Sequence, residues 1–126
     1  MSRVFDSNIL IYYLNRTLPH AARARADRWI TEGAAISVIT RIEVLGYPQT
    51  TDELRRTAGL IDSFTEVPLQ EAIVQRTILV RQQHRIRLPD AVIAATALER
   101  GVPLVTRNVR DFQAIPGLIL LNPFAP

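Results

Sequence analysis

Short apolar runs that stop abruptly at polar residues alternate along this chain with longer stretches of helical periodicity. Val4-Phe5 runs into Asp6, Ser7 and Asn8, and an apolar block over residues 9–14 follows. That pattern predicts a buried strand ending at Asp6, a tight turn and a helix start. Residues 15–19 break the pattern. Ala22, Ala26, Trp29 and Ile30 then recur near helical spacing over residues 20–31, with Gly33 as the stop. Residues 34–39 read as a second buried strand, and residues 40–46 open a third helix. Residues 52–64 are amphipathic, with Leu54, Ala58, Leu60, Ile61 and Phe64 as the apolar set, and residues 66–68 form a brief strand or edge. Residues 69–86 predict a long helix with Ala72, Ile73, Thr77, Leu79 and Val80 inward. After the boundary Leu88-Pro89-Asp90, residues 91–100 are almost entirely apolar and predict a helix buried on most sides. Gly101 ends it. Residues 102–105 and 118–121 complete the strands, a turn or short helix begins at Asn108, and residues 122–126 are a tail.

Strands that are continuous apolar runs, alternating with helices, are the mark of a parallel sheet covered on both faces. The expected fold is therefore α/β, with three α/β/α layers around a mostly parallel sheet of four to five strands. The 126 residues form one domain, 1–126, long enough to bury about two-thirds of the unfolded surface without staples.

Composition narrows the chemistry. Cysteine is absent, which excludes disulfides and thiolate metal sites and fits a reducing compartment. His20 and His84 are the only two histidines, too few for a His-based zinc site. A metal would have to sit among oxygen ligands, which points to Mg²⁺ or Mn²⁺. All 15 basic residues are Arg, and the net charge is +3, compatible with a nucleic-acid partner. No signal peptide opens the chain and no apolar run approaches ~18 residues, so a cytoplasmic protein without a membrane span is expected.

The acidic residues fall into two groups. Asp27, Glu32, Asp52, Glu53, Asp62, Glu66, Glu71 and Glu99 lie in polar or amphipathic surroundings, as a solvated surface would. Asp6, Glu43 and Asp90 instead abut apolar sequence at strand–helix or loop–helix junctions, and Asn108 and Asp111 follow a buried strand. Each has a structural alternative. Asp6 suits a helix cap, Thr40-Arg-Ile-Glu43 a capping box, Asp90 the first turn of a helix, and Asn108 with Asp111 a turn. Together they say more. In a parallel sheet the strand carboxyl ends share one edge, where ligands bind. Carboxylates brought within ~4 Å repel by ~4 kcal/mol per pair at an effective dielectric of ~20. Such a cluster takes up protons or binds a cation, and a divalent ion is the simpler solution. Beside basic residues, such an ion suits phosphodiester cleavage, because it acidifies bound water and steadies charge on the attacked phosphate. A phosphatase using Asp6 as nucleophile is a competing reading.

With these residues in view, the chain resembles the PIN-domain family, and within it the VapC-type toxins of toxin–antitoxin pairs. The matching motifs are Phe5-Asp6-Ser7-Asn8-Ile9-Leu10, Ser37-Val-Ile-Thr40-Arg-Ile-Glu43-Val-Leu-Gly46, Ile86-Arg-Leu-Pro89-Asp90-Ala-Val-Ile-Ala94-Ala-Thr-Ala97 and Leu104-Val-Thr106-Arg-Asn108-Val-Arg-Asp111-Phe112. They stand in family order across nearly the whole chain. The resemblance implies a Mg²⁺-dependent endoribonuclease with Asp6, Glu43 and Asp90 as core metal ligands. Its fourth position is Asn108 here, where many members have Asp and others Asn, and Asp111, one helical turn on, is the candidate substitute. Ser7 and Thr106 correspond to polar helpers near the metal. The resemblance also implies a homodimer silenced by a small VapB-like antitoxin. Arg41, Arg85, Arg87, Arg107 and Arg110 are the candidates for RNA phosphate contacts, with surface ion pairing as their alternative. Because Asn108 departs from the acidic pattern, an inactive RNA- or protein-binding module is the second reading of function.

Overall fold

The computed structural model describes residues 2–125. Five strands form one all-parallel sheet: β1 (Val4–Phe5), β2 (Ala35–Ser37), β3 (Thr65–Val67), β4 (Leu104–Val105) and β5 (Leu120–Leu121). Their order is β3-β2-β1-β4-β5. Seven helices connect them: α1 (Ser7–Leu14), α2 (His20–Glu32), α3 (Val38–Gly46), α4 (Thr51–Ile61), α5 (Glu71–Gln83), α6 (Leu88–Arg100) and α7 (Val109–Phe112). Strand neighbours alternate between two apolar clusters, as the pleat requires. Val4, Ala35 and Leu104 join the layer containing α5, α6 and α7, whereas Phe5, Ile36 and Val105 join the layer with α1, α2 and α4. The three-layer α/β expectation holds, with every strand pair parallel.

This order creates a switch point. From β1 the chain steps outward to β2 and β3, then recrosses through α5 and α6 to place β4 on the other side of β1. Parallel sheets open a crevice at the carboxyl ends of the strands where the winding reverses. Here that crevice lies beyond Phe5 and Val105, so the next residues, Asp6 and Thr106, meet there.

Several boundaries depart from the sequence pattern. The second strand stops at Ser37, whose Oγ accepts the Ile39 N–H at 3.1 Å and caps α3. Val38 and Ile39 are therefore helical, although their apolar, β-branched character resembles strand. The long fifth helix covers 71–83, and only Ile73, Thr77 and Val80 of its expected inward set are buried. Ala72 and Leu79 face out, because apolar residues occur on both sides of this helix and the pattern does not select one. In α4, Ile61 is buried while Leu54 and Ala58 are exposed. Gly101, at φ 66°, closes α6 in the left-handed conformation that glycine adopts without strain. The tail is ordered through Ala125, and its last residue, Pro126, lies outside the described residues.

Candidate active site

Asp6 follows β1 and is only 2% exposed. It occupies the N-cap position of α1 but makes no side-chain cap bond. Its Oδ2 instead accepts the hydroxyl of Thr106 at 2.8 Å, across the gap between β1 and β4. Burial pushes the Asp6 carboxyl up to about 6; the Thr106 hydroxyl and Ser7 N–H oppose the shift, and the negative charges of Asp90 and Glu43 add to it.

Glu43 reaches the same place from α3. Ser7 Oγ donates to Glu43 Oε1 at 2.7 Å and lies 2.9 Å from Thr40 Oγ1. A serine hydroxyl has one proton, so the Ser7–Thr40 bond uses the threonine's. Thr40 is fully buried inside α3. The capping-box alternative for Thr40 and Glu43 therefore fails, since Ser37 is the cap. The chain's capping box is elsewhere, at Thr50 and Glu53 on α4.

Asp90 stands in the first turn of α6, behind Pro89. Its half-buried carboxyl is raised, first by burial and then by Glu43 and Asp111, while the Arg87 guanidinium lowers it. Asn108 makes two local hydrogen bonds between β4 and α7. Its backbone N–H donates to Thr106 Oγ1 at 2.9 Å, and its side-chain Nδ2 donates to Asp111 Oδ2 at 2.7 Å. Asn108 is at the N-cap position of α7 yet makes no side-chain cap bond. Its amide positions Asp111, and Asp111 bears on Asp90.

The structure thus brings Asp6, Glu43, Asp90, Asn108 and Asp111 to one edge, with Ser7 and Thr106 as connectors. The eight remaining acidic residues are exposed, as the sequence suggested. No ion pair among the described residues involves Asp6, Glu43, Asp90 or Asp111. Of the five candidate arginines, Arg41 forms an ion pair with Glu66 on the edge strand, the alternative its sequence context also allowed. Arg85, Arg87, Arg107 and Arg110 are exposed and form no ion pair among the described residues. Sequence reasoning missed Thr40, whose place in the alternating pattern is indistinguishable from a capping residue.

The donor set consists of carboxylate, amide and hydroxyl oxygens, which suits Mg²⁺ or Mn²⁺. Two carboxyls held above their ordinary range by burial and by neighbouring carboxylates, neither in an ion pair among the described residues, also fit such an ion. Among the described residues, no three Asp, Glu or His side chains already converge on one ion-sized point. The carboxylates do act on one another's charge.

The parallel sheet, its reversal beside β1 and the acidic crevice define an α/β domain with a polar site at its switch point. The PIN-domain family model matches residues 3–118, and the chain belongs to the PIN-domain family, in its VapC group. It is 36% identical to Ribonuclease VapC10 of Mycobacterium tuberculosis over 85% of this chain and 83% of that protein. It is 32% identical to Ribonuclease VapC1 of Rickettsia felis over 97% and 96%. Among solved structures, a toxin–antitoxin complex from Klebsiella pneumoniae superposes with a TM-score of 0.79 at 31% identity, covering 98% of this chain and 99% of that one.

Proposed function

We propose that the chain is a Mg²⁺- or Mn²⁺-dependent endoribonuclease and the toxin of a toxin–antitoxin pair. The observation that carries this reading is the set of carboxylates without ion-pair partners at the switch point, together with relatives named as ribonucleases. Asp6, Glu43 and Asp90 are the metal-holding residues, with Asp111, steered by Asn108, as the fourth. Held by these residues, a divalent cation would neutralise the cluster, lower the pKa of a bound water and stabilise charge on the attacked phosphate. The chain does the rest. Thr106 and Ser7 fix the orientations of Asp6 and Glu43. The exposed guanidiniums of Arg85, Arg87, Arg107 and Arg110 draw the RNA backbone toward the crevice.

A small antitoxin is the expected protein partner, since a structural relative of 31% identity is a toxin–antitoxin complex. A homodimer is supported by the apolar side chains left exposed on α5 and α6, among them Ile78, Leu79 and Leu88. No helix among the described residues is long and apolar enough to cross a membrane, and the cytoplasm is the proposed location.

The test is cleavage of total cellular RNA with Mg²⁺, alongside Asp6→Asn and chelated controls. Cutting that both controls abolish supports the reading. Cutting that survives Asp6→Asn overturns it. A catalytically inactive binding module, the reading favoured by the unconverged carboxylates, shows RNA binding with no carboxylate-dependent Mn²⁺ site.

A further inference from the structure

The tail, which the sequence left without a role, is packed beside the crevice. Arg25 Nη1 donates to the Pro123 carbonyl at 2.6 Å, tying the tail to α2. Asn122 Oδ1 accepts the Phe124 N–H at 3.0 Å, turning the Phe124 ring inward. That ring meets Tyr12 edge to face, with centroids 5.4 Å apart. Arg107 lies against both rings. Its guanidinium carbon is 4.2 Å from the Phe124 centroid and 5.3 Å from that of Tyr12, and its Nη1 reaches the Tyr12 hydroxyl at 3.2 Å.

Arg107 directly follows Thr106, the residue bonded to Asp6. Tyr12 is on α1, whose first residue is bonded to Glu43. The clamp therefore sits at the rim of the acidic crevice. No carboxylate among the described residues pairs with Arg107, so its fork remains available to an anion. A stacked guanidinium is stiffer than a free one, and its planar fork matches phosphate in two bonds.

We infer that Phe124 and Tyr12 hold Arg107 as a preset phosphate fork, making the C-terminal segment part of the RNA-binding site. Phe124 is a positioning residue, and Arg107 is the group that touches the backbone. This rests on the ribonuclease reading. The clamp sets how tightly an RNA strand is held, so its loss falls on KM rather than on kcat.

The test measures cleavage kinetics and the binding of a mixed-sequence single-stranded RNA carrying 2′-O-methyl groups. Arg107→Ala raises KM and flattens the log Kd against log salt slope by about 0.7, the loss of one single-strand phosphate contact. Phe124→Ala raises KM about 3- to 10-fold, Phe124→Tyr restores it, and the double variant is no worse than Arg107→Ala alone. Additive effects in the double variant, or an unchanged KM and salt slope, overturn the inference. So does a Phe124→Ala effect confined to antitoxin binding, because the clamp would then serve a protein. A wild-type chain that neither binds nor cuts RNA sinks the functional reading and this inference together. A wild-type chain that cuts, with variants indistinguishable from it, sinks the inference alone.

Discussion

Thr106 donates its hydroxyl to Asp6 across 100 residues of sequence, joining the ends of β1 and β4 at the point where the sheet's winding reverses. This bond favours the charged form of a carboxyl that burial otherwise pushes toward protonation. Thr106→Val keeps the shape and removes the donor. The Asp6 carboxyl then rises further, and the acidic limb of the pH–rate profile moves upward with it. Activity near neutrality falls about 10- to 100-fold, the usual effect of losing a residue that orients a ligand. A pH–rate profile for the two proteins checks both parts.

The same carboxyl makes stability depend on pH in an unusual direction. Its folded value, about 6, lies above the ordinary 3.8. Between those values the folded chain binds more protons than the unfolded one, so Asp6 lowers stability as pH rises from about 4 to 6. The penalty is complete above the folded value and amounts to at most about 3 kcal/mol. Asp6→Asn removes it, because an amide oxygen still accepts from Thr106. The cation-free variant is therefore expected to resist urea better than the cation-free parent at pH 7.5, and no better at pH 3.5. Excess Mg²⁺ at about 100 times its Kd stabilises the parent by about 2.7 kcal/mol and leaves Asp6→Asn much less affected. Urea melts with chelator and with Mg²⁺ at both pH values measure all of this.

Ser37 and Thr40 separate a structural role from a functional one. Ser37 caps α3 through the Ile39 N–H, and Thr40 is bonded to Ser7 beside Glu43. Ser37→Ala should cost about 1 kcal/mol, a few degrees in Tm, with little change in rate at saturating Mg²⁺. Thr40→Val leaves Ser7 without one partner and lowers the rate several-fold at a similar cost in stability. Thermal melts and rates on the two variants distinguish the roles, and equal rate losses would contradict them.

These two residues also show what the sequence conveyed and what it concealed. The strand ending at Asp6, the buried helix behind Pro89 and the parallel alternation were readable because each is a contiguous pattern of apolar runs and stops. The placing of Asp6, Glu43 and Asp111 on one edge was readable from topology, since parallel strands deliver their carboxyl ends there, and Asp90 reaches that edge from the start of a buried helix. The cap on α3 was misplaced because Val38-Ile39 has the composition of a strand and Thr40 that of a cap. Phe124 went unread because its role depends on a cation–aromatic contact with a residue 17 positions away in sequence, which leaves no periodic trace. Which acidic residue Arg41 pairs with was not readable, because Glu66 comes from β3, 25 positions on.

Asn108 and Asp111 decide how the fourth acidic position is filled. Asn108 is neutral, and its amide holds the Asp111 carboxylate at 2.7 Å while Asp111 acts on Asp90. If Asp111 contributes the fourth charge, Asp111→Asn weakens Mn²⁺ binding about 10-fold, within the range for such neighbours. Asn108→Ala frees Asp111 to turn toward solvent, so its effect overlaps with that of Asp111→Asn, and the two losses do not add. Asn108→Asp alone places like charges side by side and raises Asp90 further. In the Asp111→Asn background the same change restores one negative charge beside an amide donor, and Mn²⁺ affinity recovers most of its loss. Calorimetric Mn²⁺ titration of the four variants is decisive. An Asp111→Asn protein that binds Mn²⁺ as tightly as the parent would leave Asp6, Glu43 and Asp90 as the whole of the charged site.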